Sequence, residues 1–109
     1  MSDEILLNLC HNVAESRYEA ETEGHVAVCE YIRHGEVLSF NHVGVPPIIE
    51  GLGIGTRLVL YALDDARAQG FTVVPRCPFV LAVIRKNLEY ADVVVPHMRR
   101  LVTRLREGG

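Results

Sequence analysis

The sequence predicts an α+β domain with a mixed, mainly antiparallel sheet in β-β-β-β-α-β-α order, closed by a C-terminal helix. Three observations carry this. Period-2 patterning runs through the first 45 residues, and helical spacing of apolar residues starts at Thr56 and returns after Pro78 and Pro96. Between the two regimes stand Pro46-Pro47 and a glycine-rich turn. With 109 residues, about half of them apolar, the chain can bury one hydrophobic core, so residues 1–109 read as a single domain.

Leu6 to Leu9 is a short apolar run that suits a first strand. Tyr18, Ala20 and Thr22 alternate with Arg17, Glu19 and Glu21, the signature of a strand buried on one face, and Glu23-Gly24 turns the chain. His25 to Ile32 and Val37 to Val45 are rich in β-branched and aromatic residues, and Arg33-His34-Gly35-Glu36 gives them hairpin spacing. Pro46 and Pro47 lack the N–H a ladder needs, so pairing stops there and leaves backbone groups of Val43 to Val45 available. From Thr56, Val59, Ala62, Leu63 and Ala66 form a helical stripe opposite Asp64, Asp65, Arg67 and Gln69, and Gly70 suits the residue after the helix. Phe71 to Val74 reads as a buried strand, Pro78 opens a helix over Phe79 to Asn87, and Val93 to Val95 is a candidate for one further strand. Met98, Leu101, Val102 and Leu105 then recur at helical spacing, with Arg99, Arg100, Arg104 and Arg106 elsewhere on that helix.

A net charge of −3 provides no basic field for nucleic acid or an anionic membrane, so any anion site must be local. Cys10, Cys29 and Cys77 are odd in number and without CxxC spacing, which argues for reduced thiols and against a disulfide framework or structural zinc. The polar start Ser2-Asp3-Glu4 and the absence of a long apolar window point to a cytoplasmic protein. The histidines show no metal-ligand spacing, so no metal is expected, and His11, His25, His34 and His97 are expected at the surface.

Gly51-Leu52-Gly53-Ile54-Gly55-Thr56 runs straight into a helix. A helix N-terminus presents unpaired N–H groups and partial positive charge, and glycines let a ligand approach the backbone, so the turn can bind phosphate without a lysine. A Walker A loop is excluded because no Gly-Lys-Ser/Thr follows, and a Rossmann loop because Thr56 stands where the third glycine belongs. An unliganded strand-to-helix turn is the competing reading.

Taken together, His42-Val43-Gly44-Val45-Pro46, the loop from Gly51 to Gly55, Val74-Pro75-Arg76-Cys77-Pro78-Phe79-Val80 and Glu89-Tyr90 resemble the small single-domain branch of the GNAT N-acetyltransferase superfamily. The resemblance runs from about His11 to Asp92. It implies a GNAT-like acyl-CoA N-acyltransferase fold, in which the strand before the glycine loop splays from its neighbour and acetyl-CoA lays its pantetheine arm in the gap. It implies cofactor contacts from Val43, Gly44 and Val45 and pyrophosphate binding by Gly51, Leu52, Gly53, Ile54, Gly55 and Thr56; Asn87, at a helix end facing that region, is a candidate pantetheine contact or an ordinary C-terminal cap. A backbone N–H of Val45 or Gly44 would polarise the thioester carbonyl while an acceptor amine attacks directly.

Three side chains are catalytic candidates. Cys77 precedes a helix N-terminus near the implied acetyl group and is either a nucleophile or a small buried hydrophobe. Tyr90 matches the family's tyrosine and is a candidate acid for the departing thiolate, or a packing residue. His42, in the strand leading to the carbonyl site, is the best candidate base, against the plainer reading of an edge histidine with a satisfied hydrogen bond. The chain departs from the branch's pattern at Glu50, where the loop usually begins with Gln or Arg, and at Val43-Gly44 and Asn87-Leu88. The implied function is acetyl transfer from acetyl-CoA to an unidentified primary amine on a small molecule or protein; the alternative is a CoA-binding module with little or no transferase activity. Monomer and homodimer both fit, since the last helix's apolar stripe can pack either way.

Overall fold

A computed structural model describes residues 6–108, with side chains through residue 103. The polar start at Ser2 to Glu4 and the side chains of Arg104, Leu105 and Arg106 lie outside the described residues. Strands β1 (Asn8–Asn12), β2 (Arg17–Thr22), β3 (His25–His34) and β4 (Val37–Gly44) form an antiparallel meander. Helix α1 (Ile54–Ala68) returns the chain to β5 (Thr72–Pro75), which lies parallel to β4 at the sheet edge. The five strands stand in sequence order, and α2 (Pro78–Lys86) and α3 (Arg99–Gly108) follow.

One face of the sheet makes the core. Tyr18, Ala20, Ala27, Cys29, Tyr31, Leu38, Phe40 and Val73 pack under Leu58, Val59, Ala62, Leu63 and Ala66 of α1 and Val80 and Ile84 of α2. The alternate residues Glu19, Glu21, Val28 and Glu30 are half-buried, and Val26 and Ile32 are 40% and 52% exposed, so the opposite face lies open among the described residues. Among its described side chains α3 buries Val102, and the helix packs against α2 and the turn at Leu88–Val93.

Local chemistry explains where the elements begin and end. Gly70, at φ 82°, ends α1: its N–H bonds the Arg67 carbonyl and the Phe71 N–H reaches back to Ala66 O at 2.9 Å, a Schellman motif. α1 starts two residues before Thr56 because Gly53, at φ 77°, adopts the left-handed cap conformation. The β3–β4 connection is two residues shorter than the sequence suggests, since His34 pairs with Val37 around Gly35, at φ 62°. The first strand lies further on than Leu6 to Leu9: pairing with β2 puts Leu9 and His11 toward the core, while Leu6 is 89% exposed. Val93 to Val95 is not a strand. Val94 makes one isolated bridge to Val73, and Pro96 removes the next donor, so the three valines are buried as core.

Candidate functional site

The parallel ladder between β4 and β5 is four residues long and ends at Phe40 and Pro75. A last bond, Cys77 N–H to Phe40 O at 3.0 Å, closes it. β4 nevertheless continues against β3 as far as Gly44, after a bulge in which Glu30 pairs with His42 and Tyr31 with Phe40, leaving Asn41 as the extra residue. Beyond the bulge one edge of β4 has lost its strand partner, and the sheet splits between β4 and the start of α2.

A cavity of about 340 Å³ opens into this split on the helix-covered face. Val43, Val45 and Phe79 wall it on the strand side, with Ile49, Glu50 and Gly51 to Thr56, except Leu52, on the other. Its glycines serve two purposes. Gly51 and Gly53 have φ of 82° and 77°, a conformation that costs a non-glycine residue about 1–2 kcal/mol, and a Cβ at either would meet nothing within 4 Å. Gly55 is there for contact: a Cβ would sit 3.1 Å from Phe79 Cζ and 3.4 Å from Val45 Cγ2. No side chain caps α1, so its first-turn N–H groups face the cavity without an intrahelical acceptor, and the open space beside Gly51 and Gly53 suits an anionic group.

The expected site residues divide. Val43, Val45, Gly51, Gly53, Ile54, Gly55 and Thr56 line the cavity. Leu52 is half-exposed outside it, and Gly44 pairs with Val28 on the open face, where the imidazole of His42 lies over it. His42 is thus across the sheet from the cavity, beside Glu30. Cys77, 9% exposed, stands at the apex of the split as the N-cap of α2. Its neighbour Cys29 is fully buried; that burial, with Cys77 and Glu30 nearby, pushes the Cys29 thiol up to about 12.

Tyr90 and Asn87 are occupied elsewhere. The Tyr90 hydroxyl donates to Asp64 at 2.7 Å under the Arg67 guanidinium, and that bond with burial raises its pKa. Asp64 lies eight residues beyond Thr56 on α1, about 12 Å along the helix at ~1.5 Å per residue. Asn87 Nδ2 donates to Val83 O at 2.8 Å and caps α2. Arg99 likewise binds the carbonyls of Val94 and Asp92.

Two features escaped the sequence. Phe79 is a cavity wall, although an exposed aromatic inside a Cys-Pro-Phe segment was the available signal. His11 is no surface residue: it lies on β1, stacks on Tyr18 at 4.0 Å, and contacts Asp65 Oδ2 through Nδ1 at 3.1 Å and Tyr31 Oη through Nε2 at 2.7 Å. Nothing local in the sequence pairs residues 11, 31 and 65. Among the described residues no cluster of three or more potential metal ligands occurs, and no helix is long and apolar enough to cross a membrane.

A split mixed sheet with an uncapped, glycine-entered helix at the split is the architecture of the GNAT class of acyltransferases. The chain belongs to the GCN5-related N-acetyl-transferase family, whose family model matches residues 17–93. The fold is also that of a GCN5-like protein from Staphylococcus aureus whose solution structure is known: 22% sequence identity, 82% of this chain and 88% of that one covered, TM-score 0.64.

Proposed function

We propose that this chain transfers an acetyl group from acetyl-CoA to a primary amine by direct attack within a ternary complex. The observation that carries the reading is the cavity at the uncapped start of α1, continuous with the unpaired edge of β4. Acetyl-CoA supplies a thioester, an acyl group open to nitrogen attack with a thiol as leaving group. The N–H groups from Gly51 to Thr56 hold the pyrophosphate. An anion at a helix N-terminus gains at most about 2 kcal/mol, against about 8 kcal/mol for micromolar binding. Most of the affinity therefore comes from β4, whose free backbone groups from Val43 to Val45 pair with the amides of the pantetheine arm, and from Ile49 and Phe79, which exclude water. A backbone N–H of Gly44 or Val45 polarises the acetyl carbonyl. Cys77 closes the apex and forms no covalent intermediate. Three free thiols suit a reducing, cytoplasmic setting.

The second reading, a CoA-binding module with little turnover, draws on Tyr90 and Asn87, whose polar groups are committed away from the split, and on the exposed Glu50 carboxylate at the cavity rim. Calorimetry with acetyl-CoA followed by thiol release over a panel of amines tests both. Micromolar binding with turnover is the expected result; binding without turnover on any amine selects the module, and no heat at ~1 mM ligand removes both.

A further inference from the structure

A second hollow lies over the β4–β5 ladder on the other face of the sheet, and two of its residues, Asn41 and Arg76, follow directly on the last ladder pair, where the split begins. On the face that no helix covers, Ile32, His34, Ser39, Asn41, Val74 and Arg76 line a cavity of about 590 Å³. Alternation places it: Cys29, Tyr31 and Phe40 point into the core, so Ile32, His34 and Ser39 face the other way. Asn41, the bulged residue, is held on this side by the Ser39 hydroxyl at 2.9 Å. Arg76 sits between Pro75, the last ladder residue, and Cys77, the apex. Its guanidinium is exposed and has no ion pair or hydrogen-bond partner among the described residues, whereas Arg17, Arg33, Arg67, Arg85 and Arg99 each have one.

We propose that this second hollow is the acceptor site, and that its substrate is a small amine bearing a carboxylate, which Arg76 holds while the amine reaches into the split. The inference rests on the acetyl-CoA reading of the opposite cavity. With Asn41 and Arg76 beside the start of the split on the face opposite the first cavity, an amine held there approaches the gap from the other side of the sheet, and an unpartnered guanidinium selects a planar anion through paired N–H donors. His42 and Glu30, cross-strand neighbours on this same face, stand where the ammonium proton can leave through water. The neutral amine nitrogen forms the new C–N bond, the C–S bond breaks, and the thiolate takes up a proton.

Matched acceptors test this: lysine against cadaverine, and tyrosine against tyramine, pairs that differ by the carboxylate. For wild type, kcat/KM should favour the carboxylated member at least tenfold. Arg76→Ala should lower kcat/KM for lysine tenfold or more, mainly through KM, leave cadaverine within twofold, and leave acetyl-CoA affinity by calorimetry unchanged. Arg76→Glu should reverse the preference. Equal losses on both members of a pair, or a wild-type preference for cadaverine, overturns the acceptor site while the acetyl-CoA site stands. Absence of acetyl-CoA binding to wild type removes the underlying reading and this one with it. Should acetyl-CoA bind without turnover, lysine added to the CoA complex must shift backbone amide resonances of Ile32, Ser39 and Arg76, and no shift at 10 mM lysine overturns the site.

Discussion

The two ends of α1 are built on opposite plans. At its start, glycine provides the cap, no side chain accepts from the first turn, and space lies open beside Gly51 and Gly53. Over its second half nearly every polar group has a partner. Asp65 Oδ2 receives the Tyr18 hydroxyl at 2.8 Å, Gln69 Nε2 at 2.7 Å and His11; Asp64 receives Tyr90; Arg67 holds Asp92 at 2.7 Å; and a Schellman motif closes the backbone. Unsatisfied donors left accessible are where a ligand can gain energy, and satisfied networks are where the fold keeps it. On the proposed reading, one helix offers a ligand seat at one end, and at the other it clamps β1 and β2.

The largest effect that can break this contrast is at the open end. Gly53→Val forces a β-branched residue to φ 77° and puts a side chain into the open space proposed for the ligand. Calorimetry should show acetyl-CoA affinity lower by about 100-fold or more, near 3 kcal/mol. The fold should also lose about 1–3 kcal/mol by urea unfolding, because valine at φ 77° is strained although its Cβ meets no protein atom within 4 Å, so affinity is measured under conditions where the variant is fully folded. Unchanged affinity would place the ligand somewhere else.

The closed end should respond in stability and not in binding. Tyr18→Phe removes the bond to Asp65, leaving that carboxylate with His11 and Gln69, and should cost about 1–2 kcal/mol by urea unfolding. Acetyl-CoA affinity should stay within twofold. A pH dependence accompanies it. Burial first, and then the Asp65 bond, raise the Tyr18 phenol above its unfolded value of about 10. A group raised on folding contributes stability that is whole below its unfolded pKa and is lost as pH climbs toward the folded one. Wild-type stability should therefore fall as pH rises above about 10, and Tyr18→Phe should fall less steeply. Burial also raises Tyr31, Tyr61 and Cys29, so the variant keeps part of the slope. Equal slopes in the two proteins would mean that folding does not raise the Tyr18 phenol, by burial or by the Asp65 bond.

The same contrast explains what the sequence could tell. Strand alternation, the α1 stripe and Gly70 are local patterns with local causes, and β2 to β5 with α1 and α2 fall within two residues of where those patterns put them. The glycine loop was legible because left-handed φ and close approach both leave glycine as their trace, at Gly53 and Gly55 respectively. The His11–Asp65–Tyr31 cluster was not, because three elements must dock before those side chains meet. The Glu-Tyr motif makes Tyr90 an acid candidate or a packing residue, and its helix-end place makes Asn87 a pantetheine contact or a cap; the choice is open in the sequence because which way a side chain turns after a helix is set by neighbours such as Asp64 and Val83. Val93 to Val95 looked like a strand because β-branched residues suit a ladder and a core equally well.

The smallest effect sits at the rim of the open end. Glu50, exposed beside the loop proposed to seat the pyrophosphate, is among the described residues the one carboxylate lining the cavity. Two like charges ~6 Å apart repel by about 0.7 kcal/mol at the dielectric of water. Glu50→Gln keeps the shape and removes that charge, so acetyl-CoA affinity should rise by about threefold at low salt. Raising the ionic strength from 10 mM to 1 M shortens the screening length from about 30 Å to about 3 Å, and the advantage of the variant should shrink toward nothing. A gain that persists at 1 M salt would mean that Glu50 obstructs the site by its position rather than its charge. A loss of affinity would make the carboxylate a partner of the ligand and turn the contrast between the two ends of α1 into one of degree.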